Sequence, residues 1–128
     1  MSDHPVNLSE IGQIAIPVHD VSKSVAFYRD VLGMQLLFEM PPKMAFFQND
    51  SVRLMLSLPE SEEYDHRSSI VYYKVDDIHA SVETLKAKGV SFRDEPHMIA
   101  KMPDHELWMA FFVDVDDNIL ALMSEVRD

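Results

Sequence analysis

Residues 14–39, IAIPVHDVSKSVAFYRDVLGMQLLFE, decide the fold. The run QIAIPV at 13–18 has the apolar, β-branched character of a strand. Asp20 follows it as a helix N-cap. Val21, Val25, Tyr28 and Leu32 then recur at helical spacing, and Gly33 suits a left-handed helix end. Working outward, strand-like runs follow at 34–40, 44–48 and 52–58. The pairs Pro41-Pro42 and Asn49-Asp50 punctuate them as turns. The first half therefore reads β-α-β-β-β.

A polar, acidic stretch, PESEEYDHRSS at 59–69, has linker composition, and after it the order begins again. IVYYKV at 70–75 reads as a strand and Asp77 as a cap. Ile78, Val82 and Leu85 mark a helix closed by Gly89, and strands are expected at 90–100, 106–113 and 118–124. With the halves offset by 57 positions, Val18, Asp20, Val21, Ser24, Val25 and Tyr28 fall on Val75, Asp77, Ile78, Ser81, Val82 and Leu85. Caps and helix stripes look alike everywhere, so the matching order of elements is the stronger sign of an internal duplication. The expectation is an α+β fold, one domain over 1–128, with module one at 9–58, the linker at 59–69 and module two at 70–128. One helix covers only one face of each sheet. Two repeats together are expected to form paired, half-open-barrel mixed sheets with a concave interior, where ligands bind.

Composition narrows the function. With 11 basic and 22 acidic residues the net charge is −11, which repels phosphate backbones and anionic lipids, so neither nucleic acid nor membrane is expected as a partner. No apolar run approaches the roughly 20 residues that span a bilayer. The polar opening MSDHPVNLSE lacks the basic and apolar regions of a signal peptide. A chain without cysteine excludes disulfides, thiolate metal sites and cysteine nucleophiles, and fits a cytoplasmic protein.

The opening run resembles that of vicinal-oxygen-chelate proteins, the glyoxalase, bleomycin-resistance and dioxygenase superfamily. The marks are Asp20, Ser24 and the Phe27-Tyr28 pair after a short strand. VDDIHASVETLKAKGVSF at 75–92 is similar to the second-module opening of that superfamily, and FFVDVDDNILAL at 111–122 to its closing hairpin, with Asp117 in place of the usual glycine and Asn118 tolerant of unusual backbone angles. The resemblance implies paired βαβββ modules, often in homodimers. In the superfamily's enzymes it implies a divalent metal in the concavity, held by His or Gln, Glu, His and Glu, that stabilises an enolate or oxyanion. Carried over, those ligand positions fall on Gln13, Met55, Ile70 and Ala121. Only Gln13 is an acceptable ligand, because a thioether is a poor donor to hard cations and Ile and Ala offer none. No divalent metal and no cofactor is expected.

Strand alternation puts Arg53 and Ser57 on the face of Met55, and Tyr72 and Lys74 on that of Ile70. Arg53 could grip a carboxylate or phosphate, and Tyr72 could stack on a ring; the plainer reading leaves Arg53 and Lys74 in water at strand ends. The segment EPHMIAKMPDHELWMAFF at 95–112 holds His97, His105, Glu106 and Trp108. These could form a general base pair or a displaced metal site, or His105 could be a solvated turn residue with Trp108 filling core. The leading expectation is a protein that binds a small organic molecule in a concave pocket around Gln13, Arg53, Met55, Tyr72 and Trp108, as a homodimer without metal. The alternatives are a lyase- or isomerase-type enzyme using His97, His105 and Glu106, and a structural interaction domain.

Overall fold

Asp20 and Asp77 do the same work in the two halves. Each sits in extended backbone, at φ −143° and φ −126°, and its carboxyl accepts the backbone N–H three residues on, Lys23 or Ala80, at 3.1 Å. Each cap starts a helix at the expected place. Gly33 and Gly89 follow the helices at φ +75° and +91°, a region that L side chains rarely adopt.

The computed structural model describes residue 6 and residues 8–127; His4 lies outside them. The elements are β1 (Gln13–Pro17), α1 (Val21–Ala26), β2 (Gln35–Met40), β3 (Met44–Asn49), β4 (Val52–Ser57), β5 (Val71–Lys74), α2 (Ile78–Ala87), β6 (His97–Lys101), β7 (Glu106–Val113) and β8 (Ile119–Val126). The fold is α+β, with two four-stranded mixed sheets in the orders β1-β4-β3-β2 and β5-β8-β7-β6. In each sheet the first strand of the module runs parallel to the last, and the other pairs are antiparallel. Neither sheet closes into a barrel.

Two elements differ from expectation. The first helix is regular only to Ala26 and widens into a π-helical segment, Phe27–Val31, where the Leu32 N–H reaches the Phe27 carbonyl at 3.0 Å. The strand expected at 90–100 is broken. Phe92 makes an isolated bridge to Phe112, and pairing resumes only at His97. Pro96, which has no N–H to donate, precedes that restart.

One face of each sheet packs on its helix. Ile16, Ala45, Phe47, Leu54 and Leu56 of the first module and Ala110, Phe112, Leu120 and Leu122 of the second belong to a single buried cluster with Val21, Val25, Tyr28, Ile78 and Val82. The joint between modules is polar at one point. The buried Tyr28 hydroxyl donates to Asp114 Oδ2 at 2.8 Å, and Asn118 Nδ2 donates to the same oxygen at 3.0 Å and to the Pro17 carbonyl at 2.9 Å. The backbone N–H groups of Asp116 and Asn118 donate to Asp114 Oδ1 at 2.8 and 2.9 Å. Asp117 takes the left-handed angle of this hairpin, at φ +63°, while Asn118 is buried as a hydrogen-bond hub. Burial foremost, then Asp114, pushes the Tyr28 hydroxyl far above its ordinary pKa, so it remains a donor.

A second joint, around Leu85, is looser. A cavity of about 440 Å³ opens there between Leu85 and Lys88 of the second module and Val31, Leu32 and Asn49 of the first. Tyr73 also borders this cavity, and its hydroxyl is the one buried side-chain polar atom without a hydrogen-bond partner among the described residues. Burial raises that hydroxyl to about 12. Removing an unsatisfied buried hydroxyl removes a desolvation cost. Tyr73→Phe is therefore expected to stabilise the fold by about 1 kcal/mol in urea denaturation; a loss of that size would mean the hydroxyl has a partner in solution.

Candidate functional site

The face of each sheet turned away from its helix is open, and register gives its layout. On module one the cross-strand partners form three rows over β1, β4, β3 and β2: Gln13–Arg53–Gln48–Gln35, then Ala15–Met55–Phe46–Phe38, then Pro17–Ser57–Met44–Met40. The first row is polar and the second apolar. Phe38 and Phe46 stack with ring centroids 4.6 Å apart, and the Arg53 guanidinium lies 5.6 Å over the Phe46 ring. The Gln13 amide nitrogen reaches the Met55 sulfur at 3.7 Å. Beside the third row lies a cavity of about 710 Å³, with Ala15, Met44, Met55 and Ser57 as its floor and Pro59, Tyr64 and His66 of the linker as its wall.

Module two presents a second open face. Tyr72, Ala121 and Phe111 form one row, and Lys74, Met123, Met109 and His97 the next. Tyr72 meets Phe111 edge to face at 5.9 Å, His97 stacks toward Phe111 at 6.5 Å, and Lys74 pairs with Glu125 at 4.0 Å. The expected ligand residues are thus divided. Gln13, Arg53 and Met55 share one face, and Tyr72 stands on the other. Trp108 faces neither: its ring packs on His79 of α2 at 5.2 Å and its Nε1 donates to Glu106 at 3.1 Å.

The remaining acid–base candidates are also apart. Glu106 accepts from Trp108 on the helix side, and His97 is on the open face. His105 sits in the β6–β7 turn with Nδ1 2.8 Å from Asp104, whose carboxyl is held down to about 2 by Arg127 first and His105 second. This arrangement makes His105 part of a surface ion cluster.

The superfamily's metal positions are split between the two open faces. Gln13 and Met55 are neighbours on module one, while Ile70 precedes β5 and Ala121 lies on β8 of module two. One amide and one thioether beside two hydrocarbon side chains do not fit a divalent cation. Among the described residues no three His, Asp or Glu side chains cluster as a metal site elsewhere.

His19 belongs to none of the motifs read in the sequence, and the structure gives it a role. Its Nε2 lies 2.7 Å from Asp65 of the linker and its Nδ1 2.8 Å from Asp116 of the closing hairpin; its backbone N–H also donates to Asp116 at 3.1 Å. Only a protonated ring donates from both nitrogens. The Asp65 hydrogen bond, then that of Asp116, holds its pKa above the ordinary 6.5. Asp65 lies between Tyr64 and His66, so this contact fastens the wall of the module-one cavity. A raised folded-state pKa adds stability that is complete below about 6.5 and is lost as pH rises through the folded value. The melting temperature is expected to fall further between about pH 6 and about pH 8 in the native chain than in His19→Gln. Parallel curves would show that the bridge does not form.

The chain has relatives. A family model described as "Glyoxalase/Bleomycin resistance protein/Dioxygenase superfamily" matches residues 10–101. An uncharacterized protein of Bacillus subtilis (strain 168), YraH, is 29% identical over 86% of this chain and 94% of its own. Among solved structures, TnmS3, an antibiotic binding protein from Streptomyces sp. CB03234, superposes with a TM-score of 0.73 at 21% identity, covering 94% of this chain and 99% of that one. A lactoylglutathione lyase from Agrobacterium tumefaciens superposes with a TM-score of 0.72 at 19% identity, covering 91% and 93%. At these identities the structures show a shared fold.

Proposed function

We propose, from the premise that this chain belongs to the glyoxalase/bleomycin resistance protein/dioxygenase superfamily, that it binds a small organic molecule on the open face of module one without a divalent metal. The fold alone does not choose between binding and catalysis, since it is shared by an antibiotic binding protein and a lyase. The observation that carries the reading is the Ala15–Met55–Phe46–Phe38 row beside a cavity of about 710 Å³. Where superfamily enzymes present a carboxylate, this chain presents the Met55 thioether, which adapts to irregular apolar shapes. Mostly apolar cavities with a few placed polar groups are the usual form of small-molecule sites.

Part of the proposal is a cytoplasmic homodimer. The two open faces are both rich in aromatic and Met side chains, and one copy's module two could cover another's module one, bringing Tyr72 and His97 opposite Met55 and Arg53. Light scattering at working concentration is expected to give twice the mass of the 14.7 kDa chain; a monomer overturns the dimer.

Metal content decides the rest. Elemental mass spectrometry of untagged protein, incubated with Ni, Zn, Mn and Mg and then desalted, is expected to find no stoichiometric metal, while thermal-shift screening of apolar organic molecules finds binders. A retained stoichiometric metal would overturn the metal-free reading, and a broad screen without binders would leave a structural interaction domain.

A further inference from the structure

On the proposed reading that module one's open face holds an organic molecule, we infer the class of that molecule: a flat aromatic carboxylate, its acid group on Arg53 and its rings on the Met55–Phe46–Phe38 row. Four observations carry this inference. First, Arg53 stands at the border between the polar and the apolar row, with Gln13 and Gln48 as its direct cross-strand neighbours. Its guanidinium is held over the Phe46 ring, which orients it without consuming its hydrogen-bond donors.

Second, no ion pair among the described residues includes Arg53. On a chain of net charge −11, a cation on an apolar face without a carboxylate partner is a cation available to a ligand. Third, the exposed Phe38 ring stacks on the buried Phe46 ring, 26° from coplanar, and offers an apolar ring surface near the guanidinium. The guanidinium lies 5.6 Å from the Phe46 centroid and Phe38 a further 4.6 Å from that ring, a span that a bicyclic aromatic acid bridges from its carboxylate to its far ring. Fourth, module two has no such arrangement. Its open-face cation, Lys74, already pairs with Glu125, and the position matching Arg53 across the repeat is Ile119.

Lys43, in the turn before β3 and lining the cavity, is also without an ion pair among the described residues. It gives the test an internal control. The probes are 2-naphthoate and its neutral analogue 2-naphthamide, titrated calorimetrically into the full chain. The expected result is at least a tenfold preference for the acid, lost in Arg53→Gln and kept in Lys43→Gln. Arg53 is exposed, and unchanged melting verifies the fold of that variant. Methyl NMR of labelled methionines is expected to shift Met55 and Met44 on naphthoate binding, with Met34, which borders the other cavity, unmoved. Equal binding of acid and amide would overturn the carboxylate class while leaving an organic-ligand face standing. Loss of preference in Lys43→Gln instead, or a shift at Met34 without one at Met55, would overturn the placement on Arg53. Binding of neither probe would overturn the inference, and the screen above would then decide whether the face binds anything.

Discussion

Asp114→Ala is expected to destabilise the protein by at least about 4 kcal/mol in urea denaturation, a large share of the roughly 5–15 kcal/mol that holds an ordinary domain folded. Asp114 is buried, and four donors converge on it: the Tyr28 hydroxyl, the Asn118 amide and the backbone N–H groups of residues 116 and 118. Alanine leaves those donors without acceptors in a place water does not reach, and each unsatisfied group costs about 1–3 kcal/mol. Asp114→Asn keeps one carbonyl acceptor and the shape, so about half the loss is expected. Tyr28→Phe removes only one donor and should cost less still. A cost below about 1 kcal/mol for Asp114→Ala would mean that solvent enters the joint and replaces the bonds.

The second large effect comes from two neighbours that answer differently to one change. Phe47 is fully buried against Tyr28, with ring centroids 6.0 Å apart, so Phe47→Ala should cost about 3–5 kcal/mol through lost burial and a residual cavity. Phe46 points to the other side of the same strand, under Arg53 and beside Phe38. Phe46 is buried under them but lies outside the core cluster, so Phe46→Ala should cost less stability yet abolish measurable binding of naphthoate, because the supports of Phe38 and of the guanidinium go together. If both variants lost stability equally and Phe46→Ala still bound the probe, the open face would be packing surface only.

Some of this was legible in sequence because it is local. Asp20, Asp77, Gly33 and Gly89 mark helix ends by their own chemistry, and the period of Val21, Val25 and Tyr28 marks the buried stripe. The placement of Arg53 and Met55 on one face followed from alternation in β4. Trp108 was illegible because Glu106–Val113 is apolar at almost every position, so alternation carries no phase. Its direction is set by Ala110 and Phe112 packing into the cluster that holds Ile78 and Val82. His19 was illegible for another reason: its partners stand 46 and 97 positions away, and no local pattern announces a bridge of that span. Nor did the pattern show that Tyr72 and Met55 occupy different faces, since strand order says nothing of how sheets are set against each other.

The two joints between the modules are built differently. Tyr28 and Leu85 are equivalent across the repeat, and so are the long hairpin around Asp114 and the short turn at Asn49. One joint is filled by a tyrosine bonded to an acid, and the other is left as the cavity beside Leu85. The halves are therefore not interchangeable. A hybrid of two first halves would bring Tyr28 against a turn with no buried acid, and a hybrid of two second halves would strand Asp114 opposite leucine. Two halves of one topology thus meet as a lock and its key, each shaped for the other and not for its own copy.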